Sequence, residues 1–215
     1  SFCTVDMSSL YLDIIKDRLY TMPAASKERR SAQTVMYEVL SALVRLLAPV
    51  LTFTTEEIWR HMPGDKAGLI SVQMADMPQV VDEYIDIELA EKWDRLLAVR
   101  SEVTKVLETA RRDKVIGNSL QAAVELYLGQ DLHDFLAPLV ADLPVLFIVS
   151  AVRLASLEEA PATAQANENV PELLIAVQPA TGDKCERCWM YHDEVGADET
   201  HKTLCPRCAQ VMKQI

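Results

Sequence analysis

"KCERCWMYHDEVGADETHKTLCPRC", residues 184–208, decides how the last part of this chain folds. Cys185-x2-Cys188 and Cys205-x2-Cys208 are separated by sixteen residues. Two residues between thiolates form a tight knuckle that aims both sulfurs at one ion and turns backbone amides inward to hydrogen-bond them. The excursion between the pairs, with "EVGADETHKT" as its hairpin-like middle, brings the second knuckle to face the first. A closed tetrahedral set of four sulfurs suits zinc and leaves no open position for water, so one structural zinc is expected rather than a catalytic one. Two disulfides, a thioredoxin-like redox pair and an iron–sulfur cluster are the other readings of four such thiols. With the shell complete, His192 and His201 are read as surface residues.

The totals fit this local reading. The chain has 215 residues, half of them apolar and a quarter charged, enough for one large domain or two to three small ones with a packed core. Four of the five cysteines lie in the last 31 residues, which argues for a metal site in a reducing compartment and against a disulfide framework. No basic segment followed by an apolar run opens the chain, and the longest apolar block, "VLFIVSAV" (145–152), is far short of the roughly 20 residues of a membrane helix. A cytoplasmic protein with no membrane partner is expected. The opening "SFCTVD" has no initiator Met and is read as the start of a piece of something longer.

A net charge of −11 speaks against nucleic acid as a partner, but the charge is unevenly laid down. Residues 76–91 hold six acids and no base, residues 92–118 hold seven bases against four acids, and the first 72 residues balance at eight each. A local basic face survives the global sign. A solvated helix face is the plainer reading of the same residues.

Three regions follow from the patterning: 1–78, 79–180 and 181–215. In the first, Leu10, Ile14 and Leu19 share a helical stripe, Ser26 suits an N-cap, and Val35, Val39, Leu43, Leu46, Leu47 and Val50 recur every three or four residues up to Pro49 and beyond. Thr54 with Glu57 reads as a capping box before Ile58 and Trp59, and Pro63-Gly64 closes that helix. In the second region, 88–112 predicts one long helix. Its buried seam is Leu89, Trp93, Leu96, Val99, Val103, Val106 and Ala110, and Gly117-Asn118 is its stop. "AAVELYL", "VLFIVSAVRL" and "LLIAVQPA" read as strands, "DLHDFLAPLVADL" as a short helix, and 158–172 as a polar loop or linker. The third region is too short and polar to bury a core unaided and needs a staple. His61 and His133 are read as helix-end or surface residues, Cys3 as a small buried hydrophobe and Trp93 as core.

Trp189 and Tyr191 alternate just after the first knuckle, so an extended chain puts them on one side, with Arg187 and Lys184 nearby. Trp189 either packs against the neighbouring α+β unit or offers a base a stacking platform, and an Arg beside it suits a phosphate or base contact.

"YLDIIKDRLYT", "RRSAQTVMYEVL", "RLLAPVLTFTTEEIW", "AVRSEVTKVLETARRDKVIGNSLQA" and the closing "CERCW…CPRC" together resemble the C-terminal part of bacterial isoleucyl-tRNA synthetases, across essentially the whole chain. The resemblance implies a mainly α fold: an incomplete anticodon-binding helical bundle, then a small α+β unit, then a zinc ribbon. It implies part of a class I enzyme that joins isoleucine to its tRNA using ATP, with a separate insertion that hydrolyses misacylated valine. The His-x-Gly-His and Lys-Met-Ser-Lys-Ser motifs of that class are absent from the sequence. The catalytic and editing domains, with ATP and Mg2+, are therefore expected N-terminal to residue 1, and the chain alone is expected to be inactive. The expected partner is the anticodon stem-loop of isoleucine tRNA, bound by a monomer. Arg187, Trp189, Tyr191 and Lys184 would meet anticodon bases. Arg29, Arg30, Lys16 and Arg18 would meet the stem, or else pair with Asp13, Asp17 and Glu28 as ordinary surface charges. A base-excision DNA glycosylase with a related ribbon, and a zinc-stabilised protein-interaction module, are the alternatives.

Overall fold

In the computed structural model, which describes residues 1–214 apart from Asp65, Ala67 and Glu168, a π-helix over Cys3–Tyr11 runs into α1 (Leu12–Ile14) and α2 (Lys16–Thr21). The expected linker at Glu168 and the last ribbon residue, Ile215, lie outside the described residues. Then come α3 (Lys27–Leu47), α4 (Thr52–His61) and α5 (Ile87–Arg112). The remainder alternates as β1 (Ala122–Leu128), α6 (Gln130–Leu136), α7 (Leu143–Phe147), β2 (Ala151–Ser156), β3 (Gln165–Ala166) and β4 (Leu173–Pro179). The ribbon holds β5 (Asp183–Lys184), β6 (Tyr191–His192) and α8 (Pro206–Met212). By packing, the chain forms one unit of Ser1–Pro23 with Ile87–Ile215 and another of Ala24–Asp86.

In the unit 24–86, Ser26 caps α3 as expected, its hydroxyl accepting from the Arg29 N–H at 3.2 Å. Pro49 stands just past the end of α3, where its missing donor does no harm. The Thr54–Glu57 capping box does not form. The helix starts three residues earlier, and Thr52 and Thr55 turn their hydroxyls back onto the carbonyls of Ala48 and Leu51, at 3.1 and 3.0 Å. Val44, Ala48, Trp59, Met62 and Val72 make the core. The returning strip is held by Glu56, whose carboxylate accepts from the Ser71 hydroxyl (2.7 Å) and the Val72 N–H (3.2 Å). The expected α3 seam is corrected: Val35, Leu46, Leu47 and Val50 are exposed, and the buried line runs through Val44 and Ala48. The helix carries apolar residues on more than one side, and α4 with the 72–75 turn covers only one of them.

In the other unit, β1 is the hub of a four-stranded sheet in the order β2-β1-β4-β3. It pairs parallel with β2, across the helical crossover of α6 and α7, and antiparallel with β4, so that Val124 faces Val152 on one side and Val177 on the other. Leu96, Val99, Val103, Val106, Leu107 and Ala110 of α5 bury against Val124, Leu126, Leu128, Leu173 and Ile175 of the sheet. The expected seam starts too early. Leu89 is 49% and Trp93 43% exposed, and burial begins at Leu96. The stop of α5 is also not Gly117-Asn118 but Lys114, which adopts φ +60° while the Val115 N–H reaches back to the Ala110 carbonyl at 2.9 Å.

The same device corrects the strand expected over 145–154. Residues 143–147 are helical, Ile148 takes φ +57°, and the Val149 N–H closes onto the Pro144 carbonyl at 2.9 Å before β2 starts. A short apolar run reads alike as buried helix and buried strand. Leu10, Ile14 and Leu19 are half-buried around a buried Ile15, whereas Cys3 is exposed rather than buried.

Candidate metal centre and nucleic-acid interface

The ribbon is built on two tight turns. β5 and β6 pair antiparallel, Asp183 with His192 and Lys184 with Tyr191, and the first knuckle is the turn between them. The Cys185 N–H donates to the Met190 carbonyl at 2.9 Å and the Trp189 N–H to the Cys185 carbonyl at 2.8 Å. Gly182, at φ +79°, lets the hairpin close: a Cβ there would sit 2.3 Å from the His192 carbonyl carbon. The second knuckle ends in α8, with Cys205 at its N-cap.

All four expected ligands converge, their Sγ atoms lying within 4.8 Å of one another. Cys185 and Cys208 are fully buried. The Cys188–Cys205 sulfur separation is 3.8 Å. Four sulfurs about 2.3 Å from a tetrahedral zinc stand about 3.8 Å apart, so the spacing fits that ion. The Cys205 N–H donates to Cys185 Sγ at 3.3 Å, the inward-turned amide that a thiolate ligand needs. Hydrogen bonds with the Cys188 and Cys208 thiols pull the Cys205 thiol down to about 3, while contacts with Cys188 and Cys205 push Cys208 up. Metal binding requires every thiol deprotonated and is therefore pH-dependent. Neither His192 nor His201 belongs to the cluster.

Trp189 is 59% exposed, so it is not packed into the α+β core. It adopts φ +66°, which breaks the simple alternation expected with Tyr191. The Lys184 ammonium stands 5.0 Å from the centre of the Trp189 ring. Trp189 and Tyr191 still share a cleft with Asn118, Ser119 and Lys184. Tyr191 is half-buried: its N–H donates to Ser150 Oγ at 2.7 Å, and Ser150 in turn donates to the Leu120 carbonyl, which ties the ribbon to the sheet. A second cleft, of about 540 Å3, also borders Trp189 and is lined by Lys16, Asp17, Tyr20 and Arg187.

Arg187 donates through Nη1 to the Thr21 carbonyl at 2.5 Å. Lys16 pairs with Asp13 at 2.6 Å, one of the surface pairings the sequence allowed, and Arg18 is half-exposed on the same helix. Arg29 and Arg30 lie in the first turn of α3, in the other unit, with Arg30 exposed. Sequence reasoning missed Arg207, which forks onto Asp17 with bonds of 2.6 and 2.7 Å. Burial opposes its charge, but the hydrogen bonds and charge of Asp17, with the thiolate charge of Cys188 and Cys208, outweigh it and hold its pKa raised. The signal was there: each knuckle reads Cys-x-Arg-Cys.

Residues 1–126, more than half of the chain, match the family model of the anticodon-binding domain of tRNA ligases. Residues 182–211 match that of the zinc finger found in FPG and IleRS, and with the four close cysteines this supports a structural zinc. Among curated proteins, the chain is 58% identical to an isoleucine–tRNA ligase of Desulforamulus reducens, 56% to one of Moorella thermoacetica and 53% to one of Thermoanaerobacter pseudethanolicus. Each similarity covers all of this chain and 23% of the relative's length. The match over residues 1–126 makes the chain a member of the family of anticodon-binding domains of tRNA ligases.

Proposed function

We propose that the chain is the part of an isoleucine–tRNA ligase that grips the anticodon end of the tRNA while the rest of that polypeptide joins isoleucine to the 3′ end using ATP and Mg2+. The observation that carries this reading is the Trp189 indole. In a chain whose first 126 residues match an anticodon-binding domain, it stands 59% exposed beside a four-cysteine cluster, with Lys184 over its ring. Anticodon bases are unstacked loop bases, the form of RNA that aromatic side chains can stack on. In this reading Trp189 is the platform and Lys184 and Tyr191 flank it. Arg187 reaches RNA through the nitrogens not engaged with Thr21, and Lys16, Arg18, Arg29 and Arg30 meet the phosphates of the stem.

The three parts 1–78, 79–180 and 181–215 are then bundle, junction and ribbon. One zinc closes the ribbon when bound, and Cys185, Cys188, Cys205 and Cys208 hold it. The ligase works as a cytoplasmic monomer. The ribbon's family also takes in FPG, but the match of residues 1–126 to an anticodon-binding domain of tRNA ligases favours RNA over a DNA-repair or protein-docking reading. Replacing Trp189 by Ala should weaken binding of an isoleucine tRNA anticodon stem-loop by about 1–3 kcal/mol, measured by fluorescence anisotropy. Unchanged affinity would remove Trp189 from the interface.

A further inference from the structure

The two knuckle arginines reach the same helix. Asp17 and Thr21 are four residues apart on α2 and so share one face, and the Thr21 hydroxyl donates to Asp17 Oδ1 at 3.0 Å. Arg207 forks onto both oxygens of Asp17, in a pair whose side chains are only 34% and 17% exposed. Arg187 donates to the Thr21 carbonyl, at the end of the helix, where carbonyls lack helical partners and a positive charge suits the dipole. The same nitrogens also touch the ribbon, Arg187 Nη1 lying 3.9 Å from Cys208 Sγ and Arg207 Nη2 lying 3.9 Å from Met190 Sδ. Asp17 and Thr21 of α2 and Arg187, Trp189 and Met190 of the ribbon all line the 540 Å3 cleft that Trp189 borders.

We propose that Asp17 and Arg207 are positioning residues for the RNA interface: their ion pair locks the four-cysteine ribbon on α2 and so decides where the Trp189 indole stands. The pair acts through Trp189, and the proposal of a role in RNA affinity rests on the reading of the chain given above. A half-buried bidentate pair suits this task, because losing one partner leaves the other's charge stranded and drives the ribbon off its seat. Arg187 adds a second point of attachment one turn along the helix, which resists rotation about the first.

The test uses the 215-residue chain as parent, Asp17→Arg, Arg207→Asp and the double charge swap, together with Asp17→Asn, which leaves the ribbon sequence intact. Zinc content and circular dichroism select the forms that stay loaded and folded, and Asp17→Asn stands in for a single variant that loses its metal. In chains labelled with fluorotryptophan and free of RNA, the Trp189 fluorine resonance should move in each single variant and return in the swap. Affinity for an isoleucine tRNA anticodon stem-loop should fall about tenfold in the single variants and recover in the swap, yet change less than about twofold when the same substitutions are made on Trp189→Ala. An unmoved resonance in zinc-loaded single variants would overturn the lock, as would an equal loss of affinity with and without Trp189. A resonance that moves and returns in a chain whose parent binds no RNA would support the lock and overturn the RNA reading instead.

Discussion

Glu102 shows what a single side chain does in this fold. It is 5% exposed on α5, and its carboxylate accepts from Lys105 Nζ and Asn169 Nδ2, both at 2.7 Å. The Lys105 bond first, and the Asn169 bond next, hold its pKa below the ordinary 4.5 against the opposing pull of burial. Below 4.5 the unfolded chain takes up the proton more readily than the folded one, so the stabilisation is complete above that pH and is lost as pH falls through the folded value. Glu102→Gln should therefore lower stability by about 1–3 kcal/mol at neutral pH, with the difference from parent closing in acid. Urea unfolding at both pH values measures it, and a difference independent of pH would contradict the assignment. The Glu102–Asn169 and Asp17–Arg207 pairings were not legible in the sequence because the partners stand 67 and 190 residues apart. The four cysteines were legible because their spacing is itself the ligand geometry. Trp93 was misread because period marks which residues are apolar, not how far along the helix the core begins; α5 meets the sheet only from Leu96 on.

Elements with a strong period were legible as elements. The bounds of α3, α5, β1 and β4 follow from apolar spacing, a Ser cap and a well-placed Pro. The two places where the chain reverses on Lys114 and Ile148 were not, since a left-handed residue is expected to be Gly, and here a lysine and a β-branched residue adopt it. The ribbon is the element whose stability is easiest to isolate. Among the described residues its own buried cluster is the cysteines, with Val195 and Leu204 packed beside them, so metal binding and folding share one free energy. Cys185→Ser, or removal of the metal by a chelator, should unfold residues 181–214 and leave the sheet around β1 intact. Amide NMR separates the two, since signals of the ribbon should collapse while those of β1 and β4 persist. Native ribbon signals after chelation would show that zinc is not what closes it.

At the scale of the whole molecule, a net charge of −11 and the proposed RNA partner are compatible because the proposed contacts are local. Lys16 and Arg187 line one cleft beside Trp189, Lys184 lines the other, and the acids of 76–91 lie in a different stretch of chain. Like charge elsewhere discourages indiscriminate RNA binding and leaves discrimination to the site. Few phosphate contacts also mean a shallow dependence of affinity on salt, with a slope of roughly 0.7–0.9 per contact. The most direct measurement is equilibrium binding of the chain to isoleucine tRNA and to the same tRNA with a swapped anticodon, at two salt concentrations. The account predicts tighter binding to the native anticodon, with the preference surviving at the higher salt. Equal affinity for the two, or none for either, would contradict it.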